Sequence, residues 1–282
     1  MGCSRAVRSR VMKRSATSSP TSAPLWTSRS PRADPGPPGY TPRDRVAARG
    51  RATGSINRGG GVADDFSILT VCAGNIHRSP LAAALLKTWV GWYLPQPLAG
   101  RVRVRSAGFA ADVGAPMSSK VHAVAESLGA DGSAHVATQI TDELIEGSDL
   151  VLAASRLQRD EVLSRVPSAL RMTFTMREAG RIASGMDPGT QPRVVRDLIS
   201  TVAMMADHRV HPTGTDSDDV IDPQGRDLVA YAQMTREEVV PLARLAAILL
   251  AMPRPDVQSY LAAANDESAL LAALADSESR FR

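Results

Sequence analysis

The chain alternates two kinds of apolar pattern. Residues 66–71 form a continuous apolar run of strand length, 101–106 and 170–176 alternate apolar with polar positions, and 150–153 is short and wholly apolar. Between and after them, residues 79–93, 117–128, 157–165 and 235–251 repeat apolar side chains at helical spacing. Strands that alternate with helices, led by a strand apolar on both faces, predict an α/β fold. The expected architecture is a doubly wound parallel sheet, covered by helices on both faces and joined by right-handed crossovers. Ligands of such sheets sit outside the carboxyl ends of the strands, which for the first strand means residues 72–79.

Two stretches lie outside this plan. Between a helical piece at 178–184 and Asp222 there is an amphipathic segment, 194–207, and then a polar loop, 211–219. The amphipathic segment is expected to be an extra helix beside the mouth of the site. After residue 251, Pro253 and Pro255 break the last helix, and 257–275 reads as an appended Ala/Leu-rich helix or pair. The chain is therefore divided into a tail, 1–63, a body, 64–252, with an insertion near 185–217, and a helical extension, 253–282.

Charge sharpens the first boundary. Residues 1–60 carry 12 Lys and Arg against 2 Asp, whereas the rest carries 21 basic against 27 acidic residues. The tail is rich in Ser, Pro, Gly and Arg and has almost no apolar periodicity, so it is expected to be disordered. A polycation of this kind can touch nucleic acid or an anionic membrane, and nothing in the sequence selects either. The opening Met1-Gly2-Cys3 resembles an acylation site only superficially and is not expected to act as one, since Ala6 stands where the myristoylation pattern needs Ser or Thr. No stretch reaches the apolar length of a membrane span. Two cysteines, Cys3 and Cys72, cannot build a disulfide framework, and a reducing cytoplasm is the expected location.

The chemistry concentrates in Cys72-Ala73-Gly74-Asn75-Ile76-His77-Arg78-Ser79. A strand, a tight loop and a helix start make an anion cradle, because the loop amides point inward and the helix dipole adds positive charge. That field, with the fixed charge of Arg78, favours a thiolate at Cys72, which is expected to be exposed and of low pKa. Arg78 offers a planar fork of donors matched to two phosphate oxygens. Asn75 tolerates a left-handed backbone and can tie the loop with its amide, and Ser79 can donate to the thiolate or simply cap the helix. Cleaving a phosphate ester also needs a proton for the departing oxygen. Asp222-Pro223 is the candidate acid; Asp187-Pro188 is the same dipeptide with an expected role in starting a helix, and Asp218 and Asp219 have only proximity to recommend them. No His/Cys spacing suggests a metal, and His122, His208 and His211 read as surface or core side chains.

The segment VCAGNIHRSPLAAALL resembles the phosphate-binding loop of the low-molecular-weight protein-tyrosine phosphatases. The resemblance continues in order through Ser106-Ala107-Gly108, His135-Val136-Ala137 with Gln139-Ile140-Thr141, Asp149-Leu150-Val151-Leu152, and Asp222-Pro223, and covers roughly residues 66–252. It implies four parallel strands in the order 2-1-3-4 and a protein-tyrosine phosphatase that works without a cofactor through a phosphocysteine on Cys72. Arg78 is then the phosphate clamp, Asp222 the general acid and base, and His135 a support of Asn75. The implied partner is a phosphotyrosine protein, with a tyrosine kinase as one candidate.

Several positions depart from the family pattern. His77 stands where the family has a second cysteine, so no neighbouring thiol can trap an oxidised Cys72. Thr138 replaces an arginine. Gln224 and Gly225 follow Pro223 where aromatic residues often wall the substrate ring, leaving Phe109 as the nearby aromatic. Ile76 fits the phosphotyrosine branch better than the arginine-phosphatase branch, which tends to carry Thr. Two other readings stand beside the phosphatase. An arsenate reductase needs downstream cysteines, and none follows Cys72; a phosphoprotein-binding pseudophosphatase is disfavoured because nucleophile, arginine and acid are all present.

Overall fold

In a computed structural model, residues 65–209 and 217–280 are described. The expected disorder of residues 1–63, Cys3, and His211 with most of its polar loop lie outside them. The first strand, β1 (Phe66–Cys72), is buried along nearly its whole length, which suits the centre of a sheet covered on both faces. It pairs in parallel with β2 (Val102–Gly108) on one side and β3 (Leu150–Ala153) on the other, and β4 (Thr173–Thr175) completes the order β2-β1-β3-β4. This is the expected α/β sheet in the expected order.

Crossover helices cover both faces. The first, α1 (Arg78–Tyr93), is almost wholly buried, consistent with its Ala/Leu composition, and Thr70 of β1 donates to the Ser79 carbonyl at its start. Then come a short α2 (Gln96–Ala99), α3 (Ser119–Ser127), α4 (Asp142–Glu146) and α5 (Arg156–Arg165). On one face Leu69 and Val71 of β1 pack with Val151 and Ala153 of β3, Ile145 of α4 and Val162 of α5.

The last strand is shorter than its apolar alternation suggests. A 3-10 turn at Pro167–Met172 occupies the first positions, and Thr175 ends the strand by capping α6 (Met176–Ser184) in a reciprocal box with Glu178. The inserted α7 (Val195–Asp207) forms as a helix, but it does not line the mouth of the site. Its end is tied to the start of β4 through Arg171 to Asp207 at 2.6 Å and Arg209 to the Thr173 carbonyl at 2.6 Å. In a parallel sheet that is the end opposite Cys72.

The long α8 (Leu228–Leu249) begins seven residues earlier than the apolar repeat suggests, at the Asp227 cap whose side chain accepts from the Ala230 amide at 3.0 Å. It crosses α6 closely: a Cβ at Gly180 would lie 2.3 Å from the Pro241 side chain, so the crossing requires a glycine. The extension is a helix pair, α9 (Arg254–Asn265) and α10 (Glu267–Arg280). Tyr260 of α9 stacks edge-on against Trp89 of α1 at 4.8 Å and donates to the Leu128 carbonyl, so the extension packs on the body. Among the described residues no helix is long and apolar enough to cross a membrane.

Candidate active site

Residues 73–77 form a loop from the end of β1 to the start of α1, and its carbonyls are turned outward one after another. The amides of Phe109, Ala110, Asp112 and Ser118 donate to the carbonyls of Cys72, Ala73, Gly74 and Ile76 at 3.0–3.2 Å. The fifth carbonyl, that of Asn75, accepts from His135 Nε2 at 2.7 Å; a carbonyl only accepts, so this nitrogen carries the proton. In a trans peptide the following N–H points away from its carbonyl, so the amides of residues 73–77 face inward. Asn75 sits at φ 55°, a left-handed conformation that asparagine tolerates better than most residues, and its amide donates to Cys72 Sγ at 3.3 Å.

The loop lies directly on Gly108, the register partner of Cys72. A Cβ there would come within 2.4 Å of the Ala73 carbonyl and 3.0 Å of the Asn75 backbone nitrogen, so only glycine allows the cradle to close against β2.

Side-chain directions around Cys72 follow from one backbone bond. The Thr138 amide donates to Asn75 Oδ1 at 2.8 Å, which turns the Asn75 Nδ2 toward Ser79 Oγ, also at 2.8 Å. Ser79 Oγ therefore accepts from Asn75, and its own hydrogen is free for Cys72 Sγ, 2.9 Å away, rather than for the more distant Ala107 carbonyl at 3.4 Å. Of the two roles open to Ser79 in the sequence, donation to sulfur is the one its surroundings favour.

One expectation is corrected here. Cys72 is only 2% exposed, and burial pushes its thiol above the ordinary value of 9.0. The Ser79 hydroxyl, the Arg78 charge and the Asn75 amide all pull the other way, but in this arrangement desolvation outweighs them. The expected exposed, low-pKa thiolate is thus a buried thiol whose ionisation is supported from three sides.

Arg78 opens α1 and is buried, with its guanidinium crossing to the loop before α8. Nη2 meets Asp222 Oδ2 at 2.5 Å, and Nη1 donates to the Val220 carbonyl at 3.1 Å. Asp222 is partly exposed, and its other oxygen accepts from the Gln224 amide at 3.2 Å. Residues about 150 apart in the chain are thereby joined at one cradle. The alternative acids lie elsewhere: Asp218 pairs with Arg181, Asp219 accepts from the Arg156 amide at 2.7 Å, and Asp187 is exposed beyond α6.

Three neighbours escaped sequence reasoning. Val220 holds Arg78 only through its carbonyl, which no side-chain pattern reveals. Tyr231 of α8 packs edge-on to His77 at 5.6 Å, with its hydroxyl 3.3 Å from Nε2, and Lys120 Nζ lies over the Tyr231 ring, 5.5 Å from its centroid. His77 is accordingly a packed side chain, and burial lowers its pKa even though the Asp222 charge opposes this. Glu238 of α8 is 0% exposed, and neither of its carboxylate oxygens has a hydrogen-bond partner of normal geometry among the described residues; the same holds for Arg78 Nε. Burial pushes the Glu238 carboxyl well above the ordinary value of 4.5, against the pull of Arg78 and the Ala82 amide. Glu238 and Arg78 are thus electrostatically coupled, with burial the larger influence on the carboxyl.

His135 and Ile76 are partly exposed at the loop, while His122 and His208 lie on or beside helices away from it, facing Glu126 and the Met204 carbonyl. Among the described residues no group of three or more His, Cys, Asp or Glu is placed to hold a metal ion.

Comparison with known proteins bears on the same elements. Residues 67–180 match the family model described as low molecular weight phosphotyrosine protein phosphatase. A probable low molecular weight protein-tyrosine-phosphatase of Ralstonia nicotianae is 39% identical over 112 residues, covering 40% of this chain and 71% of the relative. A protein-arginine-phosphatase of Geobacillus stearothermophilus is 34% identical over 143 residues, covering 49% of this chain and 90% of the relative. The solved structure of an arginine phosphatase from the same organism aligns with a TM-score of 0.40 at 25% identity, over 76% of this chain and 94% of that one. A relative 39% identical and covered over 71% of its length, together with the match of residues 67–180 to the family model, places this chain in the low-molecular-weight phosphatase family, whose members include tyrosine- and arginine-specific enzymes.

Proposed function

We propose that the chain is a protein-tyrosine phosphatase using Cys72 as nucleophile, Arg78 as phosphate clamp and Asp222 as general acid and base. The observation that carries this reading is the Asp222–Arg78 contact, which brings a carboxyl from residue 222 to the cradle that already holds Cys72. The matched family segment ends at residue 180, so support for Asp222 comes from geometry and from its place in the loop before α8.

In the proposed reaction the substrate phosphate enters among the amides of residues 73–77 and takes Arg78 from Asp222, as a dianion binds a guanidinium fork more strongly than a single carboxylate oxygen does. The Cys72 sulfur attacks phosphorus in line. The S–P bond forms as the P–O ester bond breaks, and Asp222 hands its proton to the departing oxygen. Water then attacks the phosphocysteine, Asp222 takes the proton, and phosphate and the cysteine are released. A thiol that begins protonated passes its proton to the phosphate dianion as it attacks, so the buried Cys72 is compatible with this sequence. Ala73, Gly74, Asn75, Ile76 and His77 supply the amides, Ser79 holds the sulfur, and His135 and Thr138 hold Asn75.

For the substrate, Ile76 provides a partly exposed apolar lip, which favours a phenyl ring over a guanidinium group. The test is the ratio of kcat/KM for a phosphotyrosine peptide and for the same peptide carrying phosphoarginine. A ratio well above one supports the reading, with Ile76→Thr expected to lower it. A preference for phosphoarginine assigns the chain to the other branch.

A further inference from the structure

A groove of about 570 Å3 between α6, α8 and α9 is walled by four arginines. Arg177 and Arg181 lie one turn apart on α6; Arg236 and Arg244 lie about two turns apart on α8. Glu237 is the one carboxylate on the wall among the described residues, and Val240 and Pro241 add apolar surface. Arg236 and Arg244 are exposed, and neither pairs with a carboxylate among the described residues. Arg177 is paired with Glu237 at 3.7 Å and Arg181 with Asp218, so the uncompensated charge of the groove is that of Arg236 and Arg244, and a multivalent anion between them relieves their repulsion. Eight helical residues span about 12 Å, too far for one phosphate to join both α8 arginines at close range but suited to two long side chains converging on a chain of phosphates.

The same wall holds the segment that carries Asp222. Arg177 donates to the Asp219 carbonyl at 3.3 Å, Arg181 pairs with the Asp218 carboxylate, and Glu237 accepts from the Ile221 amide at 2.8 Å. Ser217, also on the wall, accepts from the Asp219 amide at 3.1 Å. An anion that draws on Arg177 and Arg181 therefore competes with the bonds that set residues 217–222, and those residues end at the Arg78 clamp.

We propose that this groove binds a condensed phosphate anion, free or as the tail of a nucleotide, and that its occupancy is transmitted through residues 217–222 to Asp222. The binding half stands on the groove alone; the regulatory half rests on the assignment of Asp222 as the acid.

The experiment is a calorimetric titration of the full chain with tripolyphosphate, and with ATP in the absence of magnesium. The wild type is compared with Arg236→Ala/Arg244→Ala, whose turnover without added anion is expected to match the wild type. The wild type should take up one more equivalent of tripolyphosphate than the variant. Anion held by the basic residues 1–60 or by the cradle persists in both, so equal uptake overturns the site. ATP and tripolyphosphate of similar affinity mark the phosphate chain as the recognised part, and ATP at least tenfold tighter marks a nucleotide. With an alkyl or unactivated aryl phosphate as substrate, tripolyphosphate should change kcat at least twofold in the wild type and not in the variant. A change confined to KM in both overturns the coupling. Loss of the extra equivalent in a protein without turnover would retain the groove and sink the phosphatase reading instead.

Discussion

Replacing Ser79 by Ala tests the hydrogen-bond logic of the nucleophile. The Thr138 amide fixes the Asn75 side chain, Asn75 donates to Ser79 Oγ, and the serine hydrogen is left to face Cys72 Sγ at 2.9 Å. A hydrogen bond to a charged group contributes about 1.5–3 kcal/mol to the ionised form. The Arg78 charge and the Asn75 amide remain in the variant, but burial already outweighs all three supports together, so loss of the largest of them is expected to move the ionisation further up. At about 1.4 kcal/mol per tenfold, the thiolate population below the thiol pKa should fall about 10- to 100-fold. The assay is the rate of iodoacetamide alkylation from pH 6 to 10, followed by mass spectrometry on the peptide containing Cys72 so that Cys3 does not interfere. The alkylation curve should move to higher pH. A variant that alkylates within twofold of the wild type throughout would show that the serine hydrogen points elsewhere and that Asn75 does not orient it.

Glu238→Gln should change how stability depends on pH. Burial raises the folded-state pKa of Glu238 above its ordinary value of 4.5, so the folded protein binds more protons than the unfolded one between those values. Wild-type stability then falls by up to about 1.4 kcal/mol per pH unit above pH 4.5 on account of this group, and the glutamine variant lacks that loss. Urea unfolding at pH 4.5, 6 and 7.5 should show the variant gaining on the wild type as pH rises; a constant difference would mean that Glu238 is not held neutral. Gly108→Ala should cost about 1–3 kcal/mol and most of the turnover, since its Cβ would meet the Ala73 carbonyl, and an unchanged melting temperature with full activity would contradict the close approach of loop and β2. Asp222→Asn should slow poor leaving groups about 10²–10⁴-fold and activated ones only mildly, measured across a series of aryl phosphates. The same loss for all leaving groups would assign Asp222 to binding instead.

The strands and the loop were legible because their signals are local, whereas the strand order 2-1-3-4 came from the family resemblance and is set by long-range pairing. A continuous apolar run can only be a central strand or a buried helix, and a cysteine at its end followed six residues later by arginine fits an anion loop without further context. Asp222 remains the proposed acid: it meets Arg78, while Asp218 is held by Arg181 and Asp219 by the Arg156 amide. What sequence could not show is desolvation. The fixed charge and helix dipole around Cys72 argue for a thiolate, and only the packing of β2 and α1 reveals how deeply the sulfur is buried. Glu238 reads as a solvated helix position until α8 is set against α1. The Asp227 cap sets the start of α8 at Leu228, a local polar signal that the apolar repeat over 235–251 does not carry. The placement of α7 depended on Arg171 and Arg209 reaching the start of β4, contacts that no periodicity encodes.

The central claim is that Cys72 becomes phosphorylated during turnover. The most direct measurement is rapid acid quenching of the full chain with an aryl phosphate, followed by mass spectrometry of the Cys72 peptide, in the wild type, Asp222→Ala and Cys72→Ser. The account predicts an added phosphoryl group on Cys72 that accumulates in Asp222→Ala, where hydrolysis of the intermediate lacks its base, together with loss of turnover in Cys72→Ser. Sustained hydrolysis by Cys72→Ser, or turnover by the wild type with no phosphoryl group on Cys72 in either active form, would contradict it.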